Sequence, residues 1–478
     1  MISINLISTL KGFNKNEFFK FDEFIKSQYF NKEKKVILLW ECLKKYYPDF
    51  NVENLPKEEI FKKIYPDEKF VESRIRNLCS DLKLLAEKFL MQEAFMNDEQ
   101  GKNLYKLGAF IEKRDYKLFV KRYNEMLSRQ SVVLLDDSTI GNNLKLYGLK
   151  FAYLNAVNAK ASDMEEIFKI INNETIKSFL TGYFKNCERI LNKKRNFFNY
   201  GYAPKYFETA QSIIENDPDE FKNDSFLLLN YYLVMLYIHY DNKNFSKLYD
   251  FLLMNFKKIN RGYATDAFVA LINYCRTQSL GGVREYDYKA FELYKTMSDN
   301  KIWNKENRLR PTVYRGAVSV AGNCGEFEWA QNFINEFKDL QPKEHIESNY
   351  FLSCGRLYFD MKQYDKAIIN LSKVRNIDSL YKYESDTLLM RIYYETNAAE
   401  SLFSKIDAFK HWINNNETEI SERYRQIFKK MIECFDALSK LRLKPDRFKL
   451  KKLKDKIIEE KELVNRNWIL EKIEELNC

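Results

Sequence analysis

Apolar residues recur every three or four positions along nearly the whole chain of 478 residues, with lysine and other polar residues between them. This spacing places the apolar side chains on one face of a helix. One such stripe consists of Val71, Ile75, Leu78, Leu82, Leu85 and Phe89. Residues 225–240 are apolar almost all round, which predicts a fully buried helix. Only residues 132–135 form a β-type run, and no second run offers a partner strand. The pattern predicts an all-α protein.

The first hundred residues contain four helical stretches, near residues 16–28, 33–47, 57–65 and 69–95. Aromatic and aliphatic side chains of the first two stretches have the spacing of two facing stripes. These side chains are Phe24, Ile25, Tyr29, Val36, Leu39, Trp40 and Leu43. We interpret this pattern as a helical hairpin with its lysines in solvent, within an N-terminal helical domain of residues 1–100.

A short pattern recurs at helix starts further along the chain: an aromatic residue, usually an acid, any residue, then alanine. It stands at residues 207–210 (FETA), 327–330 (FEWA) and 364–367 (YDKA), with looser versions at 245–248 (FSKL) and 287–290 (DYKA). The last residues of these five segments lie 38, 42, 40 and 37 positions apart. A helix hairpin of this length buries its apolar face only by stacking on a neighbour, so the spacing predicts helical repeats.

These repeats resemble the tetratricopeptide repeat family, whose signature is W-x2-L-G-x2-Y followed by A-x3-F and a proline. The best match is Phe351, Cys354, Gly355, Tyr358, Ala367 and Leu371. The unit before it keeps Tyr314, Ala317, Ala330, Ile334 and Pro342, with Val318 in place of glycine. The resemblance covers roughly residues 200–415 and is strongest over 311–380. Upstream the spacing exceeds the 34 residues of that family.

The resemblance implies a right-handed α-solenoid of antiparallel helix hairpins with a concave face. We expect degenerate repeats over residues 101–435 and basic capping helices over 436–478. It also implies a scaffold or adaptor that binds another protein or an acidic peptide segment. Ligands of that family lie along the first helices of the repeats, which here selects Arg315, Asn349, Arg356 and Arg391. Such arginines would bind an acidic side chain or a C-terminal carboxylate, unless each pairs with an acid of the next hairpin.

An alternative function is that of a nucleic-acid-associated regulator. Residues 56–90 resemble the helix-turn-helix segment of bacterial regulators that carry such repeats, with Arg74, Arg76 and Lys83 as candidate contacts. Residues 192–207 place Lys193, Lys194 and Arg195 beside aromatics, a combination that binds single strands by phosphate pairing and stacking. Acids that nearly cancel the charge of the first segment favour ordinary helical packing there.

Composition adds little to this choice between functions. The net charge is +10, but 57 lysines stand against 21 arginines, as genome composition alone can produce. The chain has three widely spaced histidines, no C-x2-C pair and no nucleotide-binding or catalytic motif. We therefore expect no catalysis, no cofactor and no metal. The scattered cysteines and the lack of a leader or a long apolar run predict a soluble protein of the bacterial cytoplasm, with no membrane partner.

Overall fold

The computed structural model describes residues 4–51, 57–130, 137–196, 202–303, 308–375, 379–416, 420, 422–460 and 463–477. The chain forms two compact units. The first consists of Met1–Ser131 with Lys145–Phe168, and the second of Val132–Leu144 with Lys169–Cys478.

The first unit is built from helices joined by short turns. They are α1 (Ile4–Lys11), α2 (Lys15–Lys26), α3 (Lys34–Leu43), α4 (Lys57–Ile64), α5 (Glu72–Asn97), α6 (Glu99–Glu112) and α7 (Tyr116–Gln130). Helices α8 (Asp137–Ala156) and α9 (Ala161–Asn196) each contain a boundary between the units. The boundary at residue 100 stays a prediction of the sequence analysis.

The predicted hairpin forms from α2 and α3, and its apolar stripes are buried with those of α1 and α5 in one core. Helix α2 begins with a capping box, in which Asn14 accepts from the Glu17 amide and Glu17 accepts from the Asn14 amide. Two residues that were predicted to lie in apolar stripes are exposed and not buried. Tyr29 is 87% exposed because the chain leaves α2 at Lys26, and Val71 is 39% exposed because it precedes the first turn of α5.

The second unit continues the helical pattern from the end of α9. Its helices are α10 (Phe207–Asn216), α11 (Pro218–Phe221), α12 (Ser225–His239), α13 (Asn242–Asn255), α14 (Arg261–Leu280), α15 (Glu285–Asp299), α16 (Pro311–Cys324), α17 (Phe327–Phe337), α18 (Lys343–Asp360), α19 (Tyr364–Leu371), α20 (Ser379–Glu395), α21 (Ala399–Asn415), α22 (Glu422–Leu443), α23 (Arg447–Glu459) and α24 (Arg466–Asn477). As predicted, α12 is buried on nearly all sides.

Helices α12 to α24 pack on one another in chain order, and α16 and α20 both pack on α18 as well. The buried apolar residues of this unit form several clusters, one of which runs from α12 to α18. Such a cluster spans several hairpins because each helix packs on two or more neighbours. The predicted all-α class is confirmed, since the described ranges contain helices and no strand. The strand predicted at 132–135 lies outside them.

Gly355 and Ala367, two small residues of the best signature match, meet where α18 and α19 cross closely. A Cβ atom built on Gly355 would lie 2.7 Å from Leu371 Cδ2 and 3.5 Å from the carbonyl oxygen of Ala367. Ala367 itself is fully buried. The two small residues therefore allow the helices to approach more closely than larger side chains permit.

Within the described residues, no helix combines the length and the apolar composition needed to cross a membrane.

Candidate functional site

A cavity of about 370 Å³ lies within the second unit. Residues of α14, α16, α18 and α20 line it, together with Tyr424 of α22. Val464 and Asn465 also line it, and both belong to the final stretch of residues 463–477, here called the C-terminal segment. The four alternate helices are the first helices of the predicted repeats, so the cavity lies where the resemblance implies a ligand.

Four arginines line this cavity, one from each of the four alternate helices. In chain order they are Arg276, Arg315, Arg356 and Arg391. They lie 39, 41 and 35 positions apart, close to one per repeat. Among the described lining residues the acidic one is Glu384, so the formal charge of the lining is four minus one, or +3.

Arg315 of α16 is the most engaged of the four. Its side chain is 8% exposed, and its Nε lies 2.9 Å from Glu384 Oε2 of α20. Its Nη1 donates to Asn349 Oδ1 at 2.6 Å, and its guanidinium carbon lies 4.6 Å from the ring centre of Tyr381. Arg315 therefore has a fixed position and a counterion within the protein.

Asn349 differs from the other predicted groove residues because it does not line the cavity. It is fully buried in α18 and accepts the hydrogen bond from Arg315, while its amide donates to Gln341 Oε1. Asn349 thus positions the Arg315 guanidinium from behind.

Arg356 of α18 has a counterion on its own helix. Its Nε lies 2.8 Å from Asp360 Oδ2, and its Nη2 donates to Asn323 Oδ1 at 2.8 Å. Asp360 approaches α16 closely, since a Cβ atom built on Gly322 would lie 2.1 Å from its Oδ2. Glycine at position 322 therefore leaves room for the carboxylate that holds Arg356.

Arg391 of α20 has no such counterion among the described residues. It is 8% exposed, and no hydrogen bond or ion pair to it exists in the part of the chain that the structure describes; its Nε is fully buried. Its guanidinium carbon lies 4.2 Å from the ring centre of Phe359 and 5.2 Å from that of Trp468. Two aromatic faces therefore provide its main favourable contacts.

This burial changes the acidity of the Arg391 guanidinium. Burial and the neighbouring Arg356 lower the pKa of Arg391 to about 9. Nearby carboxylates of Asp360, Glu395 and Glu471 oppose the change without cancelling it. The charged form is thus disfavoured by its surroundings, and an anion placed in the cavity would favour it.

Two neutral polar groups of lining residues also lack partners. Ser353 Oγ and Tyr383 Oη are buried and have no hydrogen-bond partner among the described residues. Tyr383 is fixed by its ring, which stacks on Phe428 with centres 4.1 Å apart. Burial raises the pKa of the Tyr383 hydroxyl, which therefore remains a hydrogen-bond donor at neutral pH.

The C-terminal segment reaches back to the first of the four helices. Arg466 Nη1 donates to the carbonyl of Leu280 at 2.8 Å, and Asn467 Nδ2 donates to that of Ser279 at 2.9 Å. Trp468 Nε1 donates to Glu395 Oε1 of α20 at 2.8 Å. The segment is therefore attached to both α14 and α20.

Sequence reasoning selected three of the four lining arginines and missed Arg276, although its distance of 39 positions from Arg315 fits the same spacing. Arg276 is exposed and has no ion pair or hydrogen bond among the described residues. No local sequence pattern indicated that Val464 and Asn465 line the cavity, because they reach it only by long-range folding.

The candidate nucleic-acid contacts do not share this cavity. In the first unit Arg74 pairs with Glu68, Lys83 lies 3.2 Å from Glu87, and Arg76 is exposed. In the second unit Lys193 and Lys194 are exposed near the end of α9. The side chain of Arg195 and residues 197–201 lie outside the described residues. Acids thus neutralise two of the three candidates on α5.

The same described ranges contain no group of three or more His, Cys, Asp or Glu side chains placed to hold a metal ion.

Comparison with known proteins adds a partial similarity. The chain is 31% identical over 115 residues to Cystatin-13 of Mus musculus, which is 24% of this chain and 74% of that protein. No protein-family model matches the chain, and no solved structure matches it. The similarity relates a segment of about a quarter of the chain to Cystatin-13. The family of the whole chain does not follow from it.

Proposed function

We propose that this chain is a non-catalytic binding protein, a scaffold or adaptor of tetratricopeptide-like repeats. Its second unit binds an acidic group of another protein or peptide in the four-arginine cavity. The observation that supports this proposal is the convergence of one arginine from each of four alternate helices on one cavity. The proposal includes a right-handed solenoid for the repeats and the bacterial cytoplasm as the setting.

The unbalanced charge of the cavity supports an acidic ligand. Arg276 and Arg391 have no counterion among the described residues, whereas Arg315 and Arg356 each have one. A charge-assisted hydrogen bond contributes roughly 1.5–3 kcal/mol when it is well formed. Arginine also binds carboxylates in a bidentate geometry, which fixes the orientation of the ligand.

We propose that the ligand is a short acidic group and not a long acidic segment that contacts all four arginines. Val464 and Asn465 line the same cavity, so the C-terminal segment covers part of the surface that such a segment would need. A side chain or a chain terminus fits this partly enclosed space better.

The experiment is capture of the native partner by the immobilised full-length chain. We expect Arg276→Glu combined with Arg356→Gln to abolish capture, because both changes remove positive charge from the lining. Arg315 is unsuitable for charge reversal, since a glutamate there would lie buried beside Glu384. Arg284→Glu is the matched control, because Arg284 is exposed and lies outside the lining. Equal capture by the double variant and the control would contradict the proposal.

The alternative function, a nucleic-acid-associated regulator, is tested by salt. Binding through phosphates weakens steeply as salt rises. Affinity for generic DNA that falls on salt addition and on Arg76→Ala would favour the regulator. The ion pairs of Arg74 and Lys83 with neighbouring glutamates favour the scaffold.

A further inference from the structure

We propose that the four-arginine cavity binds a phosphomonoester group, a compact tetrahedral dianion carried by a partner side chain or by a small molecule. This inference rests on the proposed function and specifies the chemistry of the acidic group. The relevant observations are the unused hydrogen-bond donors of the lining, its charge and the size of the cavity.

Donors exceed acceptors in the lining. In the described part of the chain the buried Nε of Arg391 has no acceptor, and the exposed guanidinium of Arg276 has no ion pair or hydrogen bond. The hydroxyls of Ser353 and Tyr383 are buried, and the ranges that the structure describes offer them no partner. Buried polar groups normally have hydrogen-bond partners, so the three buried groups of Arg391, Ser353 and Tyr383 in one lining indicate a ligand rich in acceptors.

A phosphomonoester fits this lining better than a carboxylate does. A carboxylate carries one negative charge on two oxygens, whereas a phosphomonoester carries about −1.5 to −2 on three terminal oxygens at pH 7. The formal charge of the lining is +3. A dianion therefore neutralises more of this charge and supplies more acceptors to arginine and hydroxyl donors.

The size of the cavity favours a compact group. Its volume of about 370 Å³ lies at the small end of ligand pockets, which span roughly 300–1,000 Å³. Val464 and Asn465 line it together with the four helices, which limits the length of chain that can enter. A single charged group on a short stem satisfies these limits.

The test is calorimetric titration of the full-length chain at pH 7.5 and constant ionic strength with three probes: O-phosphoserine, inorganic phosphate and glutamate. We expect O-phosphoserine and inorganic phosphate to bind, and glutamate to bind at least about tenfold more weakly. Arg391→Met should weaken phosphoserine binding by at least about tenfold, and Tyr383→Phe by about two- to tenfold. Arg284→Met is the control and should bind like the parent.

Comparison of O-phosphoserine with inorganic phosphate distinguishes the sources of the phosphoryl group. Equal affinities support recognition of the phosphoryl group alone, and tighter binding of phosphoserine supports a phosphorylated side chain. Glutamate binding as tightly as phosphoserine overturns the inference, as does the absence of binding by either phosphorylated probe. Unchanged phosphoserine binding in both folded cavity variants overturns it too. The proposed function survives these outcomes if partner capture still depends on Arg276 and Arg356, and fails with the inference if it does not.

Discussion

At the scale of single residues, Arg391 lines the cavity from a buried position. It is a buried cation between two aromatic rings, without an ion pair in the described part of the chain. Moving a charge out of water is unfavourable unless an opposite charge compensates it. We therefore expect that the Arg391 guanidinium does not stabilise the fold.

The first prediction is that Arg391→Met makes the protein at least as stable as the parent. Methionine keeps contact with both rings and removes the buried charge, a change that contributes up to about 1–4 kcal/mol in comparable sites. Chemical denaturation at pH 7 measures the difference. A loss of more than about 1 kcal/mol would show that the guanidinium stabilises the fold.

The pH dependence of this difference has a defined sign. The pKa of Arg391 is about 9 in the folded protein, whereas its ordinary value, which applies to the unfolded chain, is 12.5. Between these values the unfolded chain binds more protons at this side chain, so the parent gains stability as pH rises. The advantage of Arg391→Met should therefore be fully present below pH 9 and shrink above it. An advantage independent of pH would contradict this account.

The second prediction concerns Asp22 in the N-terminal hairpin. Burial raises the pKa of Asp22, but hydrogen bonds from Lys26, Trp40 and Lys44 outweigh it and lower the pKa from 3.8 to about 2. A carboxylate with a depressed pKa contributes stability above pH 3.8, and this contribution is lost as pH falls toward 2. We expect Asp22→Asn to cost about 2 kcal/mol at pH 7.

Denaturation of Asp22→Asn and the parent from pH 7 to pH 2 measures this contribution, and the gap between them should close below pH 4. Asp49→Asn is a matched control, because Asp49 lies in the same unit and is exposed. A gap that persists at pH 2 would mean that the asparagine disturbs packing instead of removing a charge.

At the scale of helices, the close crossing of α18 and α19 tests the repeat alignment. Our third prediction is that Ala367→Leu costs roughly 1–3 kcal/mol, because the added atoms have no space at a fully buried site. Lys366→Leu is the control on the exposed side of α19 and should change stability by less than about 0.5 kcal/mol. Identical melting of the two variants would mean that the crossing tolerates a large side chain.

The local sequence pattern predicted the helices well, but it predicted the contacts between helices only in part. The signature at Gly355 and Ala367 identified a real crossing because it reflects contact between adjacent helices. Tyr29 was misplaced because apolar spacing alone does not reveal that α2 ends at Lys26. For the arginines, spacing indicated which helices would present them. Which of them has a counterion depends on acids supplied by other helices.

At the scale of the whole molecule, the candidate site depends on contacts that no local pattern predicts. Arg466 and the carbonyl of Leu280 are 186 positions apart in the chain and 2.8 Å apart in space. The sequence analysis predicted that residues 436–478 cap the repeats, and this stays a prediction. Trp468 of the last helix contacts Arg391, and Val464, which precedes that helix, lines the cavity. The C-terminal segment is therefore part of the site.

The last prediction is that Arg466→Ala combined with Asn467→Ala loosens the C-terminal segment and weakens binding in the cavity. The pair loses the hydrogen bonds to Ser279 and Leu280, which together contribute roughly 1–3 kcal/mol. Hydrogen exchange should become faster in residues 463–477 and stay unchanged in α3, which lies in the first unit. Lys456→Ala, which removes an exposed ion pair with Glu433, should leave both regions as in the parent. Because Val464 and Asn465 line the cavity, O-phosphoserine should bind the double variant more weakly although all four arginines remain. Faster exchange with unchanged binding would show that the C-terminal segment does not contribute to binding. The four alternate helices would then be the complete binding surface.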